Sequence, residues 1–260
     1  MKPSETGPVA VAVSGAGGRM GRLVSAAVAA AEGLELRAVY DPHHAGQSVE
    51  GLEVGADRSS IARCDVVVEF TRPDVVMENL RSWHDLSVNA VVGTSGFDAA
   101  RVEEVRSFWK AGPPNCLIVP NFSIGAVTMM RLAEIAAAHF AAAEVIELHH
   151  DHKADAPSGT AIATAERIAA AAEQHRAVES AELLPGARGS DVSGIPVHAV
   201  RLPGFVAHQE VIFGGVGETL TIRHDTTDRA AFMPGVLLAI DRVAGLGDPV
   251  SVGLELLLGI

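Results

Sequence analysis

Apolar residues in the first half of the chain follow two rhythms. Short β-type runs at 9–14, 34–40, 66–70, 88–92 and 117–119 are separated by segments at 19–31, 75–86 and 99–109 whose apolar residues recur every three or four positions. Strands alternating with amphipathic helices predict a parallel sheet covered by helices, because a parallel strand pair needs a crossover long enough to hold one. After Pro120-Asn121 the rhythm changes. A long helix is predicted over about 125–140, a strand over 144–148 and a helix over about 158–173, followed by β-rich segments at 196–202, 206–213 and 218–224. Gly214-Gly215-Val216-Gly217 between the last two is a hairpin signal. An amphipathic helix at about 229–243 and an apolar tail at 254–258 remain; periodicity assigns them to neither half, and they are expected to return to the first. The fold class expected is α/β, with residues 1–121 and 228–260 in one domain and 122–227 in a second, α+β domain with a mixed sheet.

Composition narrows this picture. With 260 residues, 48% of them hydrophobic, the chain can bury two modest cores without staples. Cys64 and Cys116 have neither pairing nor ligand spacing and read as core thiols of a reducing compartment. Residues 1–8 are polar and lack an apolar stretch, and no later run is long enough to span a bilayer, so a cytoplasmic protein is expected. Twenty Lys+Arg against 32 Asp+Glu give a net charge of −12, which argues against nucleic-acid or acidic-membrane partners. An anionic ligand must then meet a local cluster of cations.

The first strand runs into Gly15-Ala16-Gly17-Gly18-Arg19-Met20-Gly21, a glycine-rich turn that opens a helix. Such a turn lets backbone N–H groups at a helix N-terminus approach a pyrophosphate, which makes the first domain Rossmann-like and dinucleotide-binding. Gly15 and Gly17 fit the usual fingerprint, whereas its third position holds Met20 and the glycine follows at Gly21. The alternative is a tight strand-helix connection with no ligand. Asp41 ends the next strand, 20 positions after Gly21, where a carboxylate accepts from ribose hydroxyls; it also suits a turn before Pro42. A carboxylate there leans toward NADH, since Pro42 offers no charge to a 2′-phosphate, although His43 and His44 stand beside it. Glu69-Phe70-Thr71 and Val92-Gly93-Thr94-Ser95-Gly96 end two further strands, where ligands of such sheets sit; both also suit plain turns.

The stretch from Glu147 through His149-His150-Asp151-His152-Lys153 to Pro157-Ser158-Gly159-Thr160 carries the densest chemistry, with three histidines and a lysine in five positions. Three readings stand: a metal site on His150 and His152, which no third ligand motif supports; a solvated charged loop; and an anion clamp. Pro and hydroxyl residues before an alanine-rich helix mark a helix N-terminus whose N–H groups can hold a carboxylate. His149 or His150 beside Lys153 then supplies proton donors for an acceptor that takes hydride, and the cationic neighbour is expected to lower the histidine pKa. His139, His198, His208 and His224 read as packing or surface residues, and Trp83 and Trp109 as core.

Those strings resemble the dihydrodipicolinate reductases, which act on 4-hydroxy-tetrahydrodipicolinate. The resemblance covers almost the whole chain: the glycine turn, Gly93-Thr94-Ser95-Gly96-Phe97, Pro120-Asn121-Phe122-Ser123-Ile124-Gly125 and, most specifically, the run from His149 to Ala161. It implies hydride transfer from NADH or NADPH to C4 of the substrate ring with loss of water, in diaminopimelate and lysine biosynthesis. It also implies that His149 is the proton donor/acceptor and Lys153 a second donor. His150, Gly159 and Thr160 are expected to bind substrate carboxylates, with Arg229 a further anion contact. Cofactor contacts are implied at Gly15 through Gly21, Asp41, Phe70, Thr71, Gly93, Thr94, Ser95, Pro120, Asn121 and Phe122. The resemblance implies a small dicarboxylate as substrate and a homotetramer built by domain 122–227; with no third ligand motif, no metal is expected. Ser14 and Pro42 depart from the usual pattern and bear on nucleotide preference alone. Residues 120–122 and 226–227 are expected to form a hinge.

Two other functions fit the same domain layout: a dehydrogenase of another small polar substrate and a non-catalytic nucleotide sensor. A thioester-forming aldehyde dehydrogenase needs an exposed cysteine, and Cys116 sits inside an apolar strand.

Overall fold

The computed structural model describes residues 7–173, 176, 178 and 180–260. The polar stretch read at 1–8 therefore lies mostly outside the described residues. In chain order the elements are β1 (Val9–Ser14), α1 (Arg19–Ala30), β2 (Leu34–Tyr40), the two-residue strands β3 (Ser48–Val49) and β4 (Leu52–Glu53), β5 (Val66–Glu69), α2 (Val76–Asp85), β6 (Asn89–Val92), α3 (Ala99–Phe108) and β7 (Cys116–Ile118). There follow α4 (Ile124–Ala137), β8 (Ala142–His149), α5 (Gly159–Ala171), β9 (Ser190–Val192), β10 (Ile195–Arg201), β11 (Ala207–Gly215) and β12 (Glu218–Thr226). The chain ends with α6 (Met233–Arg242), β13 (Val250–Val252) and α7 (Glu255–Leu258). No helix among the described residues is long and apolar enough to cross a membrane.

Two compact units emerge. One runs from the described N-terminus through Phe122 and resumes over Phe232–Gly259; the other is Ser123–Ala231. The first holds a six-stranded sheet in the order β13-β7-β6-β5-β1-β2, parallel throughout. All but the first residue of β1 are buried, as a strand covered on both faces requires. Over one face, Leu80 and Trp83 of α2 pack with Val105 and Trp109 around the strands. α1 turns Gly21, Val24, Ser25 and Val28 inward at helical spacing and lies beside α6. The second unit is a five-stranded mixed sheet, β12-β11-β8-β10-β9, in which only β8 and β10 pair in parallel. Its core is formed by Ala133 and Ala137 of α4 and Ala161, Ala165 and Ile168 of α5 with Val145, Val197, Val211 and Phe213 of the strands.

This is the α/β architecture expected, with a Rossmann-like parallel sheet and a mixed-sheet second unit. Several local expectations need correction. The predicted hairpin loop is shorter: β11 and β12 extend to Gly215 and Glu218, so Val216 and Gly217 alone make the turn, with Gly217 at φ +79°. The helix predicted from 229 begins at Met233, with Pro234 in its first turn, after a 3₁₀ turn at Arg229–Phe232. β13 was not anticipated; three residues are too few to show a period, and β7 defines it by pairing.

Candidate active site

In the first unit β1 delivers the chain into the glycine turn. Gly15 has φ +80°, and a Cβ there would lie 2.4 Å from the Phe70 carbonyl oxygen. A Cβ on Gly21 would lie 2.0 Å from the Gly15 carbonyl oxygen, so helix α1 can start this close to the turn only without a side chain. The displaced glycine of the fingerprint thus supplies the close helix packing, and Gly17 is needed as well, since a Cβ there would lie 2.2 Å from the His44 ring. Ala16 is buried beneath the turn, Met20 half-buried and Arg19 exposed. Gly18 is the N-cap of α1 and offers its first-turn N–H groups no side-chain acceptor.

Asp41 is buried beside this turn. Its Oδ2 accepts from Gly17 N–H at 3.1 Å and from His44 Nδ1 at 2.9 Å, and its Oδ1 accepts from His43 N–H at 3.0 Å. Of the four acceptor sites of a carboxylate three are filled, which leaves one for a ribose hydroxyl. A cleft of about 400 Å³ opens here, walled by Gly15, Gly18, Asp41, Phe70 and Thr71 with Arg58 and Arg72 at its side. The glycine turn, a remaining carboxylate site and an apolar wall fit a nicotinamide dinucleotide.

The other strand ends converge on Phe70 and Thr71. The Phe70 and Phe122 rings lie 5.5 Å apart, and a Cβ on Gly93 would strike both. Thr71 N–H donates to Thr94 Oγ1 at 3.0 Å. Beneath them Glu69 is fully buried, accepting from Trp83 Nε1 at 2.8 Å, Asn79 Nδ2 at 3.2 Å and the Thr71 hydroxyl. Ser95 and Pro120 are exposed and Asn121 half-buried.

In the second unit β8 alternates strictly, turning Ala143, Val145 and Glu147 inward. Glu147 is a carboxylate at a core position. Its Oε2 accepts from His149 Nδ1 at 2.6 Å and Arg201 Nη1 at 2.7 Å, and its Oε1 accepts from Arg201 Nη2 at 2.7 Å and Ser158 N–H at 3.0 Å. Burial alone would raise its pKa; the bonds from His149 and Arg201 and the Ser158 amide outweigh burial and hold it at about 2. Sequence reasoning assigned no role to Glu147 or Arg201. The available signal was a glutamate on the inward alternation of a strand, two residues before His149.

Ser158 caps α5, its hydroxyl accepting from Ala161 N–H at 3.2 Å. Gly159 and Thr160 follow in the first turn, Gly159 exposed and Thr160 half-buried. Lys153 Nζ is paired with Asp155, at 2.7 and 2.8 Å from its two oxygens. The His150 pKa is lowered, first by desolvation and then by Arg229, His149 and His152, so Arg229 rather than Lys153 is its cationic neighbour. His152 is turned to solvent, its side chain 88% exposed. Both thiols are buried; burial pushes Cys64 up to about 11 and raises Cys116 further, which leaves no thiolate nucleophile.

The family described as dihydrodipicolinate reductase, N-terminus, matches residues 9–122, and dihydrodipicolinate reductase, C-terminus, matches 125–257. The 4-hydroxy-tetrahydrodipicolinate reductase of Mycolicibacterium smegmatis is 50% identical over 255 residues, covering 96% of this chain and 99% of that protein. The Thermobifida fusca protein of the same name is 52% identical over 258 residues, covering 97% and 100%. A dipicolinate-bound dihydrodipicolinate reductase from Paenisporosarcina sp. TG-14 superposes with a TM-score of 0.83 at 37% identity, covering 95% of this chain and 98% of that one. An apo scyllo-inositol dehydrogenase from Lactobacillus casei, with a TM-score of 0.63 at 12% identity, shares the fold alone. The two matched halves span nearly the whole chain and the relatives match it end to end: the chain belongs to the dihydrodipicolinate reductase family.

Proposed function

We propose that this chain is a 4-hydroxy-tetrahydrodipicolinate reductase, converting that dicarboxylate to tetrahydrodipicolinate with loss of water, in the diaminopimelate route to lysine. The cofactor is NADH or NADPH; when bound, its reduced nicotinamide supplies the hydride for C4 of the substrate ring. The turn from Gly15 through Ala16, Gly17, Gly18, Arg19 and Met20 to Gly21 holds the pyrophosphate against the start of α1, and Asp41 takes a ribose hydroxyl. Phe70, Thr71, Gly93, Thr94, Ser95, Pro120, Asn121 and Phe122 form the nicotinamide end. His150, Arg229 and the first turn of α5 at Gly159 and Thr160 receive the substrate carboxylates, in keeping with a relative that binds dipicolinate. His149 gives or takes the proton, and Lys153, held by Asp155, is the second donor.

One observation carries this reading: a histidine backed by a buried, fully bonded carboxylate, within the string that most closely matches the family. The second unit, 122–227 by the sequence, is assigned to substrate binding and to building a homotetramer, which light scattering on the purified protein tests. A cytoplasmic location accords with two free, buried thiols.

The deciding experiment follows NADH, and separately NADPH, in a coupled assay that generates the unstable substrate from pyruvate and aspartate semialdehyde. The wild type oxidises one or both cofactors. His149→Gln and Lys153→Ala lose turnover by about 10²-fold or more while retaining cofactor binding. Wild-type protein that binds nucleotide tightly but oxidises neither cofactor overturns the assignment.

A further inference from the structure

The buried carboxylate behind His149 has a consequence for the chemistry of the ring. An ionised carboxylate only accepts hydrogen bonds, so the nitrogen facing Glu147 at 2.6 Å must carry a proton. The remaining acceptor sites of Glu147 are filled by both ends of the Arg201 guanidinium and by the Ser158 amide. These donors come from β10 and from the N-cap of α5, so the carboxylate is clamped from two elements besides its own strand. The same guanidinium donates to the Asp155 carbonyl oxygen at 2.7 Å, which ties the loop carrying Lys153 to the clamp.

We propose that Glu147 is a positioning residue for proton transfer: it accepts the Nδ1–H of His149 and, held by Arg201 and Ser158, fixes the imidazole in the tautomer that leaves Nε2 to exchange the proton. Arg201 keeps Glu147 in place by bidentate pairing and does not itself touch the reacting atoms. When Nε2 takes up a proton, Glu147 faces the charge of the imidazolium across the Nδ1 bond; when Nε2 releases it, the neutral ring is left in a single tautomer. The charged and titratable groups set against this ring are Glu147 on its own strand, Arg201 on β10 through their shared carboxylate, and the neighbouring His150; Arg229 after β12, His152 and Asp151 act on His150.

The inference rests on His149 being the proton-transfer residue, yet its first test needs no turnover. Nitrogen-15 spectra of histidine-labelled wild-type protein, assigned with His149→Gln, report which ring nitrogen carries the proton at a pH where the ring is neutral. The expected result is a single Nδ1–H tautomer; an Nε2–H tautomer or an even mixture overturns the proposal. In Glu147→Gln the proton moves toward Nε2, since an amide can donate where a carboxylate could not, and kcat falls about 10²-fold or more while KM for the cofactor stays within about twofold. A folded Glu147→Gln enzyme with kcat within about twofold of wild type overturns it equally. Should that variant not fold, the wild-type spectrum decides alone. A wild type without turnover sinks the assignment of the reaction, whereas a wrong tautomer sinks only the role of Glu147.

Discussion

An ionised glutamate inside a sheet is stable only because its four acceptor sites are filled, and its protonation is therefore coupled to folding. The Glu147 carboxyl lies at about 2, below its ordinary 4.5. A carboxylate depressed by folding contributes its full stability above the unfolded pKa and loses it as pH falls through the folded one, here between about 4.5 and 2. At about 1.4 kcal/mol for each pH unit of displacement, it contributes on the order of 3 kcal/mol at neutral pH. Urea unfolding at pH 6, 4 and 3 checks this: wild type loses stability steeply below pH 4.5, while Glu147→Gln starts lower and shows a flatter decline. How much of the cluster is legible in the sequence follows from distance along the chain. His149, His150 and Lys153 stand together in one string. The guanidinium that holds Glu147 comes 54 positions later, and nothing in the spacing links the two. Asp41 was legible as an acid at a strand end, but not its bonds to Gly17 and His44, which depend on how the turn folds back.

At the scale of elements, the junction of β1, turn and α1 is fixed by two backbones in contact. Gly21→Ala would put a methyl 2.0 Å from one carbonyl oxygen and 2.7 Å from the Ala16 Cα, both main chain, so the helix or the turn must shift. The expected cost is about 2–3 kcal/mol with at least a tenfold loss in NADH affinity, read by thermal melting and fluorescence titration. Gly245→Ala, where a Cβ meets nothing within 4 Å, is the control and changes stability by less than about 0.5 kcal/mol. Helices α1, α2 and α3 were legible from their period, and strands β1, β2, β5, β6 and β7 from apolar runs alternating with those helices. β1 is apolar up to its last residue, Ser14, and buried on both faces, while β8 alternates because one face meets α4 and α5. β3, β4, β9 and β13 are two or three residues each, and a period cannot be read from so few positions. Gly214 and Gly215 signalled a loop yet lie in β11, since the β12 ladder runs past them.

The whole molecule is assembled from an interrupted unit and a continuous one. Sheet edge β13 pairs with β7, the buried Val236 and Ile240 belong to α6, and the Asn115 side chain donates to the carbonyls of Val243, Ala244 and Leu246. Ending the chain after Ala231 therefore removes part of the first core while leaving Ser123–Ala231 whole. The truncated protein is expected to lose NADH binding and the more cooperative share of its thermal unfolding, as titration and calorimetry report. The same arrangement orders events on the ribosome. Residues 123–231 leave the exit tunnel as an uninterrupted stretch and can close their sheet during synthesis, whereas β7 waits with a bare edge until the last strand is translated. The nucleotide-binding unit is thus begun before residues 123–231 and completed after them, and until β13 is made its open edge is a site for a chaperone to cover.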